Sequence, residues 1–263
     1  MNYGLLSCLS FGVGVIVGLT GIGGASLITP MLILVFKVPP AIAVSSDVVA
    51  ATLMKVVGGI KHWQQQTLDP LVVKWLTLGS VPGALAGVEV FHLMQAGWSE
   101  DWNSLLLRLV GSLILLVTLI GLLQLAVSTL FPRVQLPLLP QFDLETWQGR
   151  LATLTIGAVL GSLVGLTSVS SGSMFALALM AFFQLDARKL VGTDISQAAI
   201  LLSFTSLGHI GLGTVDWSLV GAIWLGSVPG VLVGARLCQF IPQRSLRAIV
   251  YSILMMVSWK LVV

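Results

Sequence analysis

Displaced by 147 positions, so that Asp47 falls on Asp194, this chain lies on itself without a gap. Residues 14–24 read GVIVGLTGIGG, and residues 161–171 read GSLVGLTSVSS. His62 falls on His209, Thr67 on Thr214, Asp69 on Asp216, and the run LGSVPG at 78–83 on LGSVPG at 225–230. Two copies of one unit therefore build the protein. Only 9% of its residues are charged and 56% are hydrophobic, with a mean hydropathy of +1.01. No soluble fold of this length could hide so much apolar surface, so the chain reads as an all-α integral membrane protein with one membrane domain over 1–263. Doubling in such a chain points to transport, because two facing repeats can enclose a site and rock around it.

Apolar segments fall at roughly 4–19, 25–37, 43–61, 71–92, 104–129, 151–167, 172–185, 192–210, 217–238 and 246–262. A helix needs ~20 residues to cross the hydrocarbon core. The first, second, sixth and seventh segments are short for that. Each short pair is joined by a Gly/Ser-rich bend, TGIGGAS at 20–26 and TSVSSGS at 167–173. Each repeat is thus a short helical hairpin, either re-entrant or fully spanning, followed by three transmembrane helices, giving 8–10 membrane segments in all. The first repeat covers 1–129, a proline-containing linker 130–150, and the second repeat 151–263.

Parity sets the orientation. Three or five crossings per repeat are both odd, so the second repeat starts from the opposite face and the two are inverted. With the N-terminus outside, Lys61, Lys74, Arg133, Arg150, Arg188, Lys189, Arg236, Arg244 and Arg247 fall on the cytoplasmic side, and Lys37, Arg108 and Lys260 outside. That bias follows the positive-inside rule and makes the linker cytoplasmic and both termini periplasmic or extracellular. The scattered basic residues give no nucleic-acid surface. The N-terminus has no basic region and no A-x-A site, which argues against a cleaved signal peptide. Cys8 and Cys238 lie in apolar runs and read as packing residues without metal or redox spacing. No HExxH, nucleophile elbow, P-loop or cysteine cluster supports an enzyme, and neither a metal nor a cofactor is expected.

Gly79, Gly83 and Gly87 are spaced by four, as are Gly226, Gly230 and Gly234, and Gly157, Gly161 and Gly165. Such stripes let another helix backbone approach closely. Pro82 and Pro229 interrupt their helices, and Ser80 and Ser227 stand ready for the freed carbonyls. At the bends, glycines and hydroxyls expose backbone N–H groups, and the following helix N-terminus adds its positive dipole end. Thr20, Gly21, Gly23, Gly24 and Ser26 would form one lip of an anion site, and Thr167, Ser168, Ser170, Ser171, Gly172 and Ser173 the other; the plainer reading is a turn. Asp47 and Asp194 read either as helix caps or as proton- or cation-sensing groups. Lys55, two turns beyond Asp47, is either paired and functional or snorkels to the inner surface. His62 and His209 read as interfacial.

The doubled hairpin, the G-x-G-G bend followed by Pro30, the GSVPG run and the closing Ile241-Pro242 and Leu246-Arg247 resemble the sulfite exporter TauE/SafE family over nearly the whole chain. The resemblance implies a bacterial inner-membrane transporter, monomer or homodimer, for small sulfur-containing anions such as sulfite, thiosulfate, sulfoacetate or related sulfonates. Gly21, Gly23 and Gly24 match the family's first bend; the second, SVSSGS, is richer in serine. The resulting expectation is an inverted-repeat transporter whose two tips meet near the midplane and bind a small oxyanion, with Asp47, Asp194 or Lys55 coupling movement to protons. A passive anion channel and a non-transporting assembly subunit are the rivals.

Overall fold

The computed structural model describes residues 2–20, 25–97, 101–130, 141–168, 173–183, 185–237 and 243–262. Among these, every regular element is a helix: α1 (Tyr3–Thr20), α2 (Ala25–Leu34), α3 (Pro40–Gln64), α4 (Pro70–Gly97), α5 (Asp101–Leu130), α6 (Trp147–Thr167), α7 (Ser173–Phe182), α8 (Ala187–Gly211), α9 (Trp217–Leu237) and α10 (Gln243–Val262). All ten apolar segments of the sequence are helices. Six of them, α3, α4, α5, α6, α8 and α9, are long and apolar enough to cross a membrane. α6 is longer than its apolar run suggests. Thr146 caps it by accepting from the Gly149 N–H, so the helix starts at Trp147 and reaches 21 residues. α2 and α7 have 10 residues each, or ~15 Å, half the hydrocarbon thickness.

The duplication governs the packing. α1 packs on α9 and α4 on α6, and these two contacts exchange when the repeats are exchanged. A Cβ placed on Gly79, Gly83 or Gly87 of α4 would strike the carbonyl oxygen of Leu154, Ala158 or Ser162 on α6. On Gly226, Gly230 or Gly234 of α9 it would strike that of Ser7, Phe11 or Val15 on α1. Every member of the second set lies 147 positions from its counterpart in the first, counting between repeats. Both pairs run parallel, backbone against backbone.

The equivalent helices α3 and α8 instead cross antiparallel. Ser45 meets His209 near one end, Thr52 donates to the Leu202 carbonyl in the middle, and Lys55 meets Asp194 beyond it. Antiparallel crossing of two equivalent helices is what an inverted pair of repeats requires. α5 and α10 also pair, with the Tyr251 ring lying over Gly121.

Each short helix anchors its own apolar cluster: Ile28 and Leu32 of α2 in one, their counterparts Phe175 and Leu179 of α7 in the other, all fully buried. The end of the linker docks on α7. The Phe142 N–H donates to the Phe182 carbonyl, and the two rings stack at 4.7 Å. Cys8, expected to pack, is an exposed free thiol on α1. Ser80 does not serve a freed carbonyl as expected but accepts from Gln197 Nε2 of α8 at 2.8 Å, and the Ser227 hydroxyl has no partner among the described residues.

Candidate functional site

Two polar junctions lie inside the α3–α8 pair, one around each duplicated aspartate. Neither aspartate caps a helix. Each is the eighth residue of its helix, because α3 starts at Pro40 and α8 at Ala187. The cap of α8 is Asp186, which accepts from the Lys189 N–H at 2.8 Å. Asp47 and Asp194 are instead buried, at 0% and 5% exposure.

At the first junction, Asp47 Oδ2 accepts hydrogen bonds from Thr29 of α2 and, at 3.3 Å, from Ser168 at the end of α6. Ser168 closes α6 in the left-handed conformation, φ 60°, with its N–H on the Val164 carbonyl. The equivalent position of the first repeat is Gly21; glycine is the residue that takes a left-handed conformation without steric cost, whereas Ser168 takes it and adds a hydroxyl that reaches the other repeat. Asp47 Oδ1 is buried and has no partner among the described residues.

His209 supports this junction. It is fully buried, not interfacial as its place at a span end suggests. Nε2 donates to the Gly165 carbonyl at 3.0 Å, Nδ1 shares a hydrogen bond of 3.0 Å with Ser45, and Ser45 is 2.7 Å from the Thr214 hydroxyl. The neutral ring with its proton on Nε2 satisfies the whole chain of contacts. The Phe91 ring meets the imidazole edge-on at 5.0 Å. One side chain thus ties the last turn of α6, the start of α3 and the α8–α9 turn together.

At the second junction, Lys55 Nζ lies 3.6 Å from Asp194 Oδ2. Lys55 therefore does not snorkel freely; its side chain is only 14% exposed. Asp194 Oδ1 has no partner among the described residues. His62, the counterpart of His209, pairs with Thr67 of its own repeat at 2.7 Å. The reason is local: Gly192 stands where the other repeat has Ser45, and the Thr67 carbonyl fills the space. The flanking scaffold is the same in both repeats. The Asp69 N–H donates to Thr193 and the Asp216 N–H to Ser46, and each carboxylate then caps the next helix.

Of the residues singled out in the bends, Thr167 and Ser168 are buried at the end of α6, and Ser26 is buried in the first turn of α2. Thr20 ends α1 and Ser173 begins α7. Gly21, Gly23, Gly24, Ser170, Ser171 and Gly172 lie outside the described residues. Thr29, Ser45, His209 and Thr214 join the site unannounced. Their partners stand far off in sequence, and only the His62/His209 and Thr67/Thr214 doublings hinted at two of them. Among the described residues no three His, Cys, Asp or Glu side chains converge to hold a metal. A cleft of about 310 Å³ on the α3–α8 pair, lined by Ile60, Trp63, Ala199 and Ile200 among others, is too apolar to hold an anion.

The family model described as "Sulfite exporter TauE/SafE" matches residues 6–261. The chain is 37% identical over 250 residues to the "Probable membrane transporter protein YjnA" of Bacillus subtilis (strain 168), covering 95% of this chain and 96% of that protein. It is 24% identical over 251 residues to "Probable membrane transporter protein YdhB" of the same organism, covering 94% and 95%. A shorter likeness, 38% over 80 residues, joins it to "Probable membrane transporter protein YunE". No solved structure matches.

Proposed function

The chain belongs to the sulfite exporter TauE/SafE family, and on that premise we propose that it is a secondary transporter of a small sulfur-containing anion. It is a multi-pass membrane protein of a transporter family, not an enzyme. The substrate would be sulfite, thiosulfate, sulfoacetate or a related sulfonate, held by backbone N–H groups and hydroxyls at the two Gly/Ser-rich tips. The two repeats, in inverted orientation in a bacterial inner membrane with both termini periplasmic, would rock around it.

One observation carries this reading. α6 ends inside the bundle, and the hydroxyl of its left-handed terminal residue, Ser168, reaches a buried carboxylate of the other repeat. A helix broken at membrane depth beside polar side chains is tolerated only where it lines a site or is buried in protein. Lys55, 3.6 Å from Asp194, would supply the positive charge an anion needs. An arriving oxyanion would compete with Asp194 for that ammonium, so substrate binding would loosen a contact between α3 and α8.

The test is thermal stability of the purified protein with sulfite, thiosulfate, sulfoacetate, taurine and sulfate at equal ionic strength. The reading expects at least one sulfur anion to raise Tm, and Lys55→Leu to abolish that rise. Equal behaviour of all five compounds and chloride would contradict it.

A further inference from the structure

The two duplicated aspartates sit in matching places with unmatched surroundings. Asp194 faces Lys55. The counterpart of Lys55 in the other repeat is Leu202, so Asp47 has no ammonium to face. Asp47 is fully buried, its Oδ2 takes the Thr29 and Ser168 hydroxyls, and its Oδ1 has no partner among the described residues. Those hydroxyls are themselves particular to this junction, for their counterparts are Ala176 and Gly21. Ser168 is moreover the C-cap of α6, so the negative end of a helix dipole points at the same carboxylate.

Among the described residues no other element offsets this charge. α2 and α6 bring hydroxyls. α8 brings His209, which reaches Ser45, two residues before Asp47, and spends Nε2 on the Gly165 carbonyl. α9 begins beside Asp216, whose backbone meets Ser46 while its carboxylate caps Ser218 and Leu219. Arg108 of α5 is on the exposed side of its helix. A buried anion left unbalanced is too costly to keep, so the missing positive charge must come from solution.

We infer that Asp47 is a monovalent-cation site, with Oδ1 and the Thr29 and Ser168 oxygens taking one sodium ion or one proton at a time. Hard carboxylate and hydroxyl oxygens suit either, and a half-helix C-terminus is where coupling cations sit in transporters built from broken helices. Asp194, balanced internally by Lys55, takes no such cation. This makes Asp47 alone the coupling carboxylate. The inference deepens the transport reading and rests on it only for the cation's role; binding is measured without any anion.

The experiment compares purified wild type, Asp47→Asn and Asp194→Asn in detergent. One arm replaces choline by sodium at constant ionic strength and pH; the other varies pH in choline. Wild-type Tm should respond in at least one arm, Asp47→Asn should lose that response, and Asp194→Asn should keep it. A response in the sodium arm identifies sodium; a response in the pH arm alone identifies the proton. Thr29→Val, which keeps the carboxylate, should shift the titration midpoint about 2- to 10-fold, the worth of one hydrogen-bonding group, and serves if Asp47→Asn does not fold. The inference is overturned if wild type responds in neither arm or if Asp47→Asn responds like wild type. A cation response without any effect of sulfur anions would leave it standing and remove the proposed substrate instead.

Discussion

At Lys55 and Asp194 the physics of a single pair decides what a substitution does. Both groups are largely removed from water and lie 3.6 Å apart. Removing one partner strands the other, which costs about 3–5 kcal/mol in buried pairs; the 14% exposure of Lys55 puts this pair at the lower end. Lys55→Leu copies the residue at the equivalent place in the second repeat, Leu202. We expect Lys55→Leu and Asp194→Asn each to lower stability by that order, and Lys55→Leu combined with Asp194→Leu to recover most of it, read by unfolding in detergent. A double variant as unstable as the sum of the singles would show that the pair is not coupled. His209 is a second residue-scale case. His209→Ala leaves the Gly165 carbonyl and the Ser45–Thr214 pair short of a partner, at about 1–3 kcal/mol for a buried polar group, and His209→Gln should restore part of it. The sequence marked both histidines and both aspartates as doubled, yet treated each pair as equals. What separates them is the neighbour each meets across the bundle, and a contact such as Ser168 to Asp47, 121 residues apart, leaves no local trace.

Helix by helix, the sequence was more legible. Apolar length and the two Gly/Ser breaks located all ten helices of the described residues, because span length and helix breaking are set locally. The ends were less so. α6 gains a turn from the Thr146 cap and α8 starts at the Asp186 cap, both outside the apolar runs. Glycine spacing announced close backbone approach but not the partner: α4 meets α6 rather than its own neighbours, and α9 meets α1. The duplicated interface makes a specific demand. Gly83→Val and Gly230→Val should each cost about 3 kcal/mol, since each side chain would overlap a facing carbonyl that belongs to a helix backbone. The two losses should be similar because the interfaces are copies. Gly12→Val faces open space and should be within about 0.5 kcal/mol of wild type. Fluorescence-monitored yield of folded protein reads the contrast, and a tolerated Gly83→Val would show that α4 and α6 do not touch.

For the whole molecule, odd parity and the distribution of Lys and Arg argue for opposed repeats, which labelling from either side of the membrane tests. In a Cys8→Ser, Cys238→Ser background, cysteines at Asn2 and Val263 should react with an impermeant thiol reagent in intact cells and one at Gln135 should not; the reverse pattern would remove the periplasmic placement of the termini. The proposed substrate's chemistry comes from the family. The most direct measurement is therefore flux. Purified protein in liposomes should take up labelled thiosulfate, sulfite or sulfoacetate with a saturating rate. Unlabelled anion on the far side should speed that uptake, as expected when one site is exposed alternately to each face. Uptake that rises linearly with concentration and ignores the far side, or no uptake above empty liposomes for any of the three anions, would contradict a carrier of small sulfur anions.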